Sequence, residues 1–377
     1  MKVVFLTNQA SYHQMHYARA MVNLLGADSF RIVFQKPTSE SRAEMGWTDE
    51  FTEPYIIRFW QSDASTSEAC RWIDQADVVI QGRFPIKYVR QRIKQGKLTF
   101  ACQERLWKKR PSLARKISRI GHLYKNYYSL NKSNYHFLAI GAYAAQDLND
   151  MGIFLKRSWR FGYFIDVPEQ RPYPSERDHI ELLWCARLSA VKQPQRALQI
   201  VKGLIDQGVK AKLTMIGDGH LKTQLQQNIS QLSLSKHVKM LGWQTQEEVF
   251  EAMRGADLFL MTSHHGEGWG LVVNEAMSNG CGVVANRELG SAACLIDDGV
   301  TGFLYDGSNI DELVERIANS DQAQIASMGR QSRERMSALW SATIAASRSI
   351  ELFEALLVGN DLAAKSFYSE GPYTSIG

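Results

Sequence analysis

Two glutamates, Glu267 and Glu275, mark the stretch of this sequence that is richest in groups able to do chemistry. The stretch spans residues 263–280 and reads SHHGEGWGLVVNEAMSNG, which predicts a polar, glycine-rich loop between a buried strand and an amphipathic helix. Such loops face the ligand-binding edge of a doubly wound sheet, and amides at a helix start favour an anion such as a diphosphate. We therefore expect both carboxylates to face one ligand-binding cleft.

The spacing and neighbours of these acids resemble the signature of the group 1 (family four) retaining glycosyltransferases. Seven residues separate the two acids, Gly-Trp-Gly follows the first, and Glu-Ala-Met-Ser-Asn-Gly begins at the second. The resemblance implies the GT-B fold, an α/β architecture of two Rossmann-like doubly wound domains that face each other across a cleft. It also implies transfer of a sugar, with retention of configuration, from a nucleotide-sugar donor to a glycan or polyprenyl-linked glycan acceptor in cell-surface polysaccharide biosynthesis.

The expected donor is a UDP-sugar, bound as a substrate. Because the sequence contains no D-x-D motif, we expect neither a metal nor another cofactor. The resemblance implies that Glu267 is catalytic and that Glu275 binds the donor, one acid holding sugar hydroxyls and the other ribose hydroxyls. The loop residues expected to bind the donor are Gly268, Trp269, Gly270 and Leu271.

The segment Trp184-Cys185-Ala186-Arg187-Leu188-Ser189, followed by Lys192, resembles the family's strand-end Gly-Arg-Leu segment. In the family both cations bind the donor diphosphate, so Arg187 and Lys192 are expected to do so here. Fixed cations at this point stabilise the negative charge that the leaving nucleoside diphosphate gains. A pair of surface cations after a strand is the alternative.

Further matches follow in the family's order, and together they cover about residues 180–313. They are Ile216-Gly217-Asp218-Gly219, Leu241-Gly242-Trp243 and the run LIDDGVTGF at 295–303. The resemblance implies that the turn at Trp243 lies beside the nucleotide base, where the indole is able to stack. A buried core position for Trp243 stays open at this point.

The first half of the chain matches the family less well. After the first predicted strand it has Thr7-Asn8-Gln9-Ala10-Ser11-Tyr12-His13-Gln14, where many members have a Gly-Gly loop. Polar side chains at the carboxyl end of that strand lie where a doubly wound sheet binds ligands. Asn8 and Gln14 are therefore acceptor-side candidates and His13 is a catalytic candidate, with a structural role for this histidine as the alternative.

Glu104 follows another predicted strand and is a candidate to assist deprotonation of the acceptor hydroxyl. A salt bridge with a neighbour such as Arg105 is the alternative. The family often has a histidine after a middle strand of this domain, but the run DVVIQGRF at 77–84 has none. The sequence therefore leaves open which group meets the acceptor.

Short β-branched runs alternate with amphipathic stretches along the chain, and this alternation predicts the elements that position these groups. Strands separated by helices imply parallel pairing in doubly wound sheets. The predicted strands are 2–7, 30–35, 77–81, 98–102, 135–140, 180–185, 211–216, 238–241, 258–262 and 282–285. The predicted helices of the second half are 194–207, 221–230, 247–254 and 271–279, followed by a largely helical stretch to about residue 357.

The alternation lapses over residues 161–177, where three prolines and several charges predict an extended linker. We therefore predict an N-terminal acceptor-binding domain at 1–165 and a C-terminal nucleotide-sugar-binding domain at 178–340. The segment from about 340 to 377 is expected to pack back on the first domain. A length of 377 residues exceeds what one hydrophobic core usually supports, which favours two domains.

Composition argues against several other classes of protein. Hydrophobic residues make up 45% and charged residues 22%, as in globular domains, and no apolar run is long enough to span a bilayer. The short apolar run at the N-terminus differs from a signal peptide. Five scattered cysteines without a C-x-x-C pair indicate a reducing compartment, so we expect a cytoplasmic protein.

Residues 105–132 are rich in Lys and Arg, with apolar residues interleaved, and they predict a basic amphipathic helix. Such a surface attracts anionic headgroups or a polyprenyl diphosphate, which predicts peripheral contact with the inner face of a membrane. A solvated helix face packed through its apolar side is the alternative, and no nucleic-acid recognition motif is present. The cations are Arg105, Lys108, Lys109, Arg110, Arg115, Lys116, Arg119, Lys125 and Lys132.

Two other functions stay open from the sequence. A nucleotide-sugar epimerase of similar fold would need no acceptor, and a non-catalytic glycan- or membrane-surface-binding protein would release no nucleoside diphosphate. A dinucleotide-dependent oxidoreductase is disfavoured, because G-x-G-x-x-G does not follow the first strand.

Overall fold

The computed structural model divides the chain into two compact units, Met1–Asp166 with Leu339–Gly377 and Val167–Ala338. It describes residues 1–40, 50–107, 113–132, 134–169, 177–307, 309–360, 364–365 and 367–376. The strands are β1 (Val3–Thr7), β2 (Phe30–Phe34), β3 (Ile56–Arg58), β4 (Val78–Gln81), β5 (Thr99–Glu104), β6 (Tyr135–Ile140), β7 (Ser158–Phe161), β8 (Ile180–Cys185), β9 (Ala211–Ile216), β10 (Val238–Gly242), β11 (Leu258–Met261), β12 (Gly282–Asn286), β13 (Gly302–Tyr305) and β14 (Ser375–Ile376).

The helices alternate with these strands. They are α1 (Tyr12–Leu25), α2 (Asp63–Gln75), α3 (Arg90–Lys94), α4 (Leu113–Asn126), α5 (Ala144–Asn149), α6 (Pro194–Asp206), α7 (Lys222–Gln231), α8 (Gln246–Gly255), α9 (Val272–Ser278), α10 (Ala292–Leu295), α11 (Ile310–Ala318), α12 (Gln322–Arg335) and α13 (Ala342–Leu357). Short 3-10 turns cover Ile86–Tyr88 and Tyr128–Leu130, and a π-helical turn covers Met336–Trp340.

The first unit is built on one sheet with the strand order β14-β7-β6-β5-β4-β1-β2-β3 in the described part of the chain. Neighbouring strands pair in parallel, except that β14 lies antiparallel to β7. β1 is buried along its whole length, because both faces of a parallel sheet are covered. The loop after β1 and the start of α1 therefore lie at the carboxyl edge of this sheet.

The end of the chain completes the first unit. α13 packs against α1, and the Tyr17 hydroxyl lies 2.7 Å from Ser349 Oγ and 3.0 Å from the Tyr373 hydroxyl. The Ser349 hydroxyl also donates to the Tyr373 hydroxyl at 2.6 Å. All three side chains are buried. Because these hydroxyls form hydrogen bonds with one another, they are buried with their polar atoms satisfied. The hydrogen bonds join the C-terminal segment to the first unit.

The second unit has a parallel sheet with the order β10-β9-β8-β11-β12-β13. β8 lies between β9 and β11, so the loops that follow these strands meet at one carboxyl edge. The core beneath this edge includes Trp184, Leu182 and Leu260, each with 1% of its surface exposed. This packed sheet is the support for the loops that carry the predicted donor-binding residues.

The predicted α/β architecture with two parallel-sheet domains is confirmed. Four short strands, β3, β7, β13 and β14, were not predicted, and β13 corrects the largely helical interpretation of the stretch after residue 285. β3 and β14, with three and two residues, offer too few positions for a period-two pattern. Phe161, at the predicted start of the linker, ends β7, and residues 170–176 lie outside the described part of the chain.

Candidate functional site

An ion pair joins the loop after β8 to the loop after β11. Lys192 Nζ donates to Glu267 Oε2 at 2.5 Å, and the two side chains are 23% and 19% exposed. β8 and β11 are adjacent parallel strands, so both loops leave the sheet at the same edge. The structure therefore brings one predicted diphosphate-binding cation into contact with the predicted catalytic acid, in a partly buried place where charges interact more strongly than at the surface.

Thr262, which directly follows β11, anchors the loop that carries Lys192 through hydrogen bonds of its side-chain hydroxyl. Its hydroxyl accepts a hydrogen bond from Trp184 Nε1 at 2.8 Å and donates to the Lys192 carbonyl at 2.7 Å. Thr262 and Trp184 are both buried. The backbone at Lys192 is thus tied through Thr262 to the ends of two neighbouring strands, β8 and β11.

His264 organises the loop that carries Glu267, a role that sequence reasoning missed. The Glu267 amide donates to the His264 carbonyl at 2.9 Å, and the Gly266 amide donates to His264 Nδ1 at 2.9 Å. The His264 amide donates to the Val191 carbonyl at 3.3 Å, next to Lys192. The Gly266 and Glu267 amides therefore form hydrogen bonds within the loop. In the sequence, the one sign of this role for His264 is its position three residues before Glu267.

The Gly-Trp-Gly part of the loop is fixed from the core side. Trp269 is 1% exposed, and its indole N–H donates to Asn274 Oδ1 at 2.7 Å. Gly270 has a φ of +86°, and a Cβ there would lie 2.9 Å from Met261 Cε. Gly268 is also buried, and Leu271, directly before α9, is half-buried. The Trp269 ring thus sets the loop's conformation from within the core.

Glu275 lies on α9, half-buried, and burial raises the pKa of its carboxyl to about 7. A carboxylate in such a place is costly to charge unless a ligand or a cation compensates it. Perturbed carboxyls cluster at functional sites, so this environment is consistent with the predicted role in donor binding.

Arg187 is exposed on the loop after β8, five residues before Lys192. Its neighbours are tied to the loop after β9: the Ala186 amide donates to the Ile216 carbonyl at 3.1 Å, and the Leu188 amide donates to the Asp218 carbonyl at 2.9 Å. A Cβ on Gly217 would lie only 2.0 Å from the Ala186 carbonyl oxygen. Gly217 therefore permits the close approach that sets the position of Arg187.

Trp243 follows β10, the edge strand two places from β8, and its side chain is 61% exposed. The alternative of a buried core tryptophan is therefore wrong. An exposed indole at the carboxyl edge of the sheet offers a flat apolar face to a ligand.

In the first unit, Tyr163 contacts both catalytic candidates, His13 and Glu104. The Tyr163 hydroxyl donates to Glu104 Oε1 at 3.0 Å, and the Tyr163 ring lies 4.4 Å from the ring of His13. His13 is 7% exposed, and its Nε2 lies 3.2 Å from Ser11 Oγ. Sequence reasoning missed Tyr163 because it falls within the segment predicted as a linker.

The acceptor-side candidates Asn8 and Gln14 lie at the same edge of the first sheet. Gln14 Nε2 donates to Thr7 Oγ1 at 2.6 Å, and Thr7 Oγ1 lies 3.5 Å from Asn8 Oδ1. Arg105, the alternative partner considered for Glu104, pairs with Asp147 at 3.4 Å. Polar side chains of the loop after β1 thus bond to one another beside the cluster of His13 and its neighbours.

α4 and the 3-10 turn after it carry apolar residues of the predicted basic stretch, and some of these side chains face solvent. Leu123 and Tyr127 are buried, whereas the exposed set comprises Ile117 (58%), Ile120 (58%), Tyr124 (62%) and Tyr128 (55%). Lys108, Lys109 and Arg110 fall outside the described residues. Over the ranges that the structure covers, no helix combines the length and the apolar character required to cross a membrane.

These features define a class of protein: a two-domain α/β chain of the GT-B type, with an acid and a cation paired at the carboxyl edge of the second sheet. Residues 168–336, somewhat less than half of the chain, match the family model described as glycosyl transferases group 1. The structure of HepE from Anabaena in complex with UDP superposes with a TM-score of 0.65, at 15% identity, over 94% of this chain and 100% of that one.

Two curated relatives match in sequence over part of the chain. Sulfoquinovosyl transferase SQD2 of Arabidopsis thaliana is 32% identical over 125 residues, which cover 33% of this chain and 24% of that protein. The amylovoran biosynthesis glycosyltransferase AmsK of Erwinia amylovora is 34% identical over 130 residues, which cover 33% of this chain and 32% of that protein. The matched segments thus span a third or less of these relatives.

Proposed function

We propose that this protein is a retaining glycosyltransferase that moves a sugar from a UDP-sugar to a glycan or lipid-linked glycan acceptor in polysaccharide biosynthesis. The observation that carries the proposal is the contact between Lys192 and Glu267 at the carboxyl edge of the second sheet. It is supported by the match of residues 168–336 to the group 1 glycosyl transferase model, by the fold shared with HepE, which was solved with UDP, and by the similarity to the amylovoran biosynthesis glycosyltransferase AmsK.

The second unit supplies the donor-binding groups in this proposal. Arg187 and Lys192 bind the diphosphate and stabilise the charge it gains when the bond between the anomeric carbon and the phosphate oxygen breaks. Glu267 binds sugar hydroxyls, and Glu275 binds the ribose hydroxyls. Trp243 stacks on the base. Cations of the protein stabilise the leaving group in this scheme, and no metal is invoked.

The first unit supplies the acceptor-binding groups. The acceptor oxygen forms the new bond to the anomeric carbon, and its hydroxyl proton passes to a base, for which Glu104 is our candidate. His13 lies beside the same carboxylate through Tyr163. Asn8 and Gln14 orient acceptor hydroxyls from the loop after β1.

The test is release of nucleoside diphosphate from UDP-, GDP- and ADP-sugars, with product analysis. We expect UDP release that increases when octyl glycosides are added as acceptors, and a product with the same anomeric configuration as the donor. An epimerised nucleotide-sugar as the sole product, or no release from any donor, would contradict the proposal. E315Q serves as the matched control for E267Q, because Glu315 is an exposed glutamate on α11, away from the candidate site.

We also propose peripheral membrane contact through α4, at the inner face. Ile117, Ile120 and Tyr124 follow one another at intervals of three or four residues on α4, so they form one exposed stripe on the helix. Tyr128 lies in the 3-10 turn after the helix and extends the stripe, because its ring stacks on that of Tyr124 with the centroids 6.3 Å apart. Lys125 is exposed on the same helix. An apolar stripe with cations beside it favours an anionic bilayer surface.

Sedimentation with vesicles tests this contact. We expect the protein to bind vesicles of phosphatidylcholine with phosphatidylglycerol and to lose most of that binding in I117S/I120S. V358S removes an apolar side chain that is 80% exposed at the end of α13 and serves as the control. Equal binding of I117S/I120S and V358S would refute a role for this stripe.

A further inference from the structure

The segment that follows β7 crosses the carboxyl edge of the first sheet. β6, β5 and β4 lie between β7 and β1 in the sheet, yet residues just after β7 contact the helix that follows β1. The Tyr163 ring lies 4.4 Å from the His13 ring, and Asp166 Oδ2 lies 2.6 Å from His16 Nδ1. Residues 162–166, which we call the edge segment, are therefore held against α1 at two points.

Tyr163 is the point at which the edge segment meets both catalytic candidates. Glu104 ends β5, and its carboxylate accepts a hydrogen bond of 3.0 Å from the Tyr163 hydroxyl, while the ring contacts His13 on α1. A hydroxyl bonded to a carboxylate limits the rotamers that the acid adopts. We propose that Tyr163 is the positioning residue of an acceptor site formed by Glu104 and His13, and that this site takes a sugar; the inference rests on the proposed function.

The chemistry of the surrounding groups fits a polyhydroxylated ligand. Tyr12 and Tyr163 are half-buried, and both rings lie next to His13, with Tyr12 at 5.8 Å. Half-buried aromatic rings offer an apolar face and a polar edge, which suits the C–H face and the hydroxyls of a pyranose. The Glu104 carboxylate adds a strong acceptor for sugar hydroxyls.

The fold provides a matched control on the opposite side of the same strand. Gln103 and Glu104 are consecutive on β5, so their side chains point to opposite faces of the sheet. The Tyr127 hydroxyl donates to Gln103 Oε1 at 3.0 Å, a bond of the same length as that between Tyr163 and Glu104. Y127F therefore removes a tyrosine hydrogen bond of the same length on the face of the sheet away from the proposed site.

The experiment measures binding of octyl β-D-glucoside and octyl β-D-galactoside by saturation-transfer NMR in the wild type, Y163F, Y127F, E104Q and Y163F/E104Q. We expect Y163F to weaken glycoside binding about tenfold, because the charge-assisted hydrogen bond that positions the Glu104 carboxylate is lost. We expect Y127F to change glycoside binding by less than about twofold, because its hydrogen bond lies on the opposite face of the sheet. UDP affinity should be unchanged in every variant. In the E104Q background, Y163F should have little further effect, because the two residues act as one unit.

Each outcome separates this inference from the proposed function. Equal glycoside binding in Y163F and Y127F, or full additivity of Y163F and E104Q, would overturn the role of Tyr163, as would a wild type that binds neither glycoside. Glycoside binding that depends on Tyr163, in a protein that binds no UDP and releases none from a UDP-sugar, would sustain the sugar site and overturn the transferase assignment. Thermal unfolding of Y163F shows whether the variant is folded.

Discussion

The carboxylate of Glu267 accepts a hydrogen bond from the ammonium group of Lys192. In this structure the acid therefore pairs with the cation that we assign to the donor diphosphate. A diphosphate bound there must either share Lys192 with Glu267 or displace the Glu267 carboxylate from Lys192. The pair is partly buried, which means that neither charge is easily left without a partner. Removing one member should therefore have different effects on nucleotide binding and on sugar transfer.

E267Q is expected to separate these two effects. Without the carboxylate, Lys192 is available to phosphate, so UDP should bind at least as tightly as in the wild type. Sugar transfer should fall by about a hundredfold, the size of effect seen when one transition-state contact is lost. Calorimetry with UDP and turnover of a UDP-sugar check the two parts. A loss of UDP affinity in E267Q that is absent from E315Q would show that the carboxylate supports nucleotide binding instead.

Glu275 predicts a pH-dependent stability effect. Burial raises its pKa in the folded protein from the ordinary 4.5 to about 7. Below pH 4.5 the carboxyl is protonated in both the folded and the unfolded chain, so it does not lower the free energy of unfolding. As the pH rises above 4.5, the Glu275 carboxyl ionises in the unfolded chain before it ionises in the folded one. The free energy of unfolding therefore falls until about pH 7, by at most about 3 kcal/mol.

E275Q should therefore be more stable than the wild type above pH 7, with a Tm higher by up to roughly 5 °C, and should bind UDP less tightly. The gap in Tm should narrow as the pH is lowered from neutral toward 5. Thermal melts across this range provide the measurement. A gap that is constant with pH would mean that the carboxyl of Glu275 is not the source of the effect.

W243A distinguishes a ligand-stacking surface from a structural tryptophan. Since the side chain is 61% exposed, its removal should change the free energy of unfolding by less than about 0.5 kcal/mol. UDP affinity should fall about tenfold or more, because stacking of a base on an aromatic ring contributes about 1–3 kcal/mol. Calorimetry on W243A and W243F provides the comparison, with W243F expected to keep most of the affinity. Unchanged UDP affinity in W243A would remove Trp243 from the donor site.

G217A should disturb the loop that carries Arg187. The new Cβ would lie 2.0 Å from the Ala186 carbonyl oxygen, so one backbone must move. We expect a loss of more than about 2 kcal/mol of stability, with weaker UDP binding. G208A is the control, because Gly208 also has a positive φ but a Cβ there meets nothing within 4 Å. Its cost should stay near 1 kcal/mol, roughly the strain of the left-handed conformation alone. Equal losses in both variants would argue against crowding at Gly217.

Long periodic elements and motifs with fixed spacing were predictable from the sequence. β1, β5, β6, β8 and β9 each contain several apolar or β-branched residues in a row, which is a strong local signal. The sequence also placed Lys192 and Glu267 on loops that follow predicted strands, whereas the adjacency of those two strands came only from the structure. By contrast, β14 is two residues long and exists only because it pairs with β7, a contact between distant parts of the chain that no local pattern encodes.

The groups that hold the candidate site together were harder to predict. Tyr163 and Glu104 are 59 positions apart, and their hydrogen bond depends on how the edge segment runs over the first sheet. His264 acts through its own backbone and one ring nitrogen, which gives no composition signal. The exposure of Trp243 was undecidable for a similar reason, because burial of a single aromatic residue depends on tertiary packing.

The most direct test of the central claim, that the carboxyl edge of the second sheet binds a nucleoside diphosphate, is calorimetric titration of K192M and K202M with UDP. Lys202 lies on α6 and pairs with Asp206, so K202M removes a lysine from an ion pair away from the proposed site. We predict that UDP binds K202M as it binds the wild type and binds K192M at least about tenfold more weakly, since a charge-assisted contact to phosphate contributes about 1.5–3 kcal/mol. Equal affinity of the two variants for UDP would contradict the account.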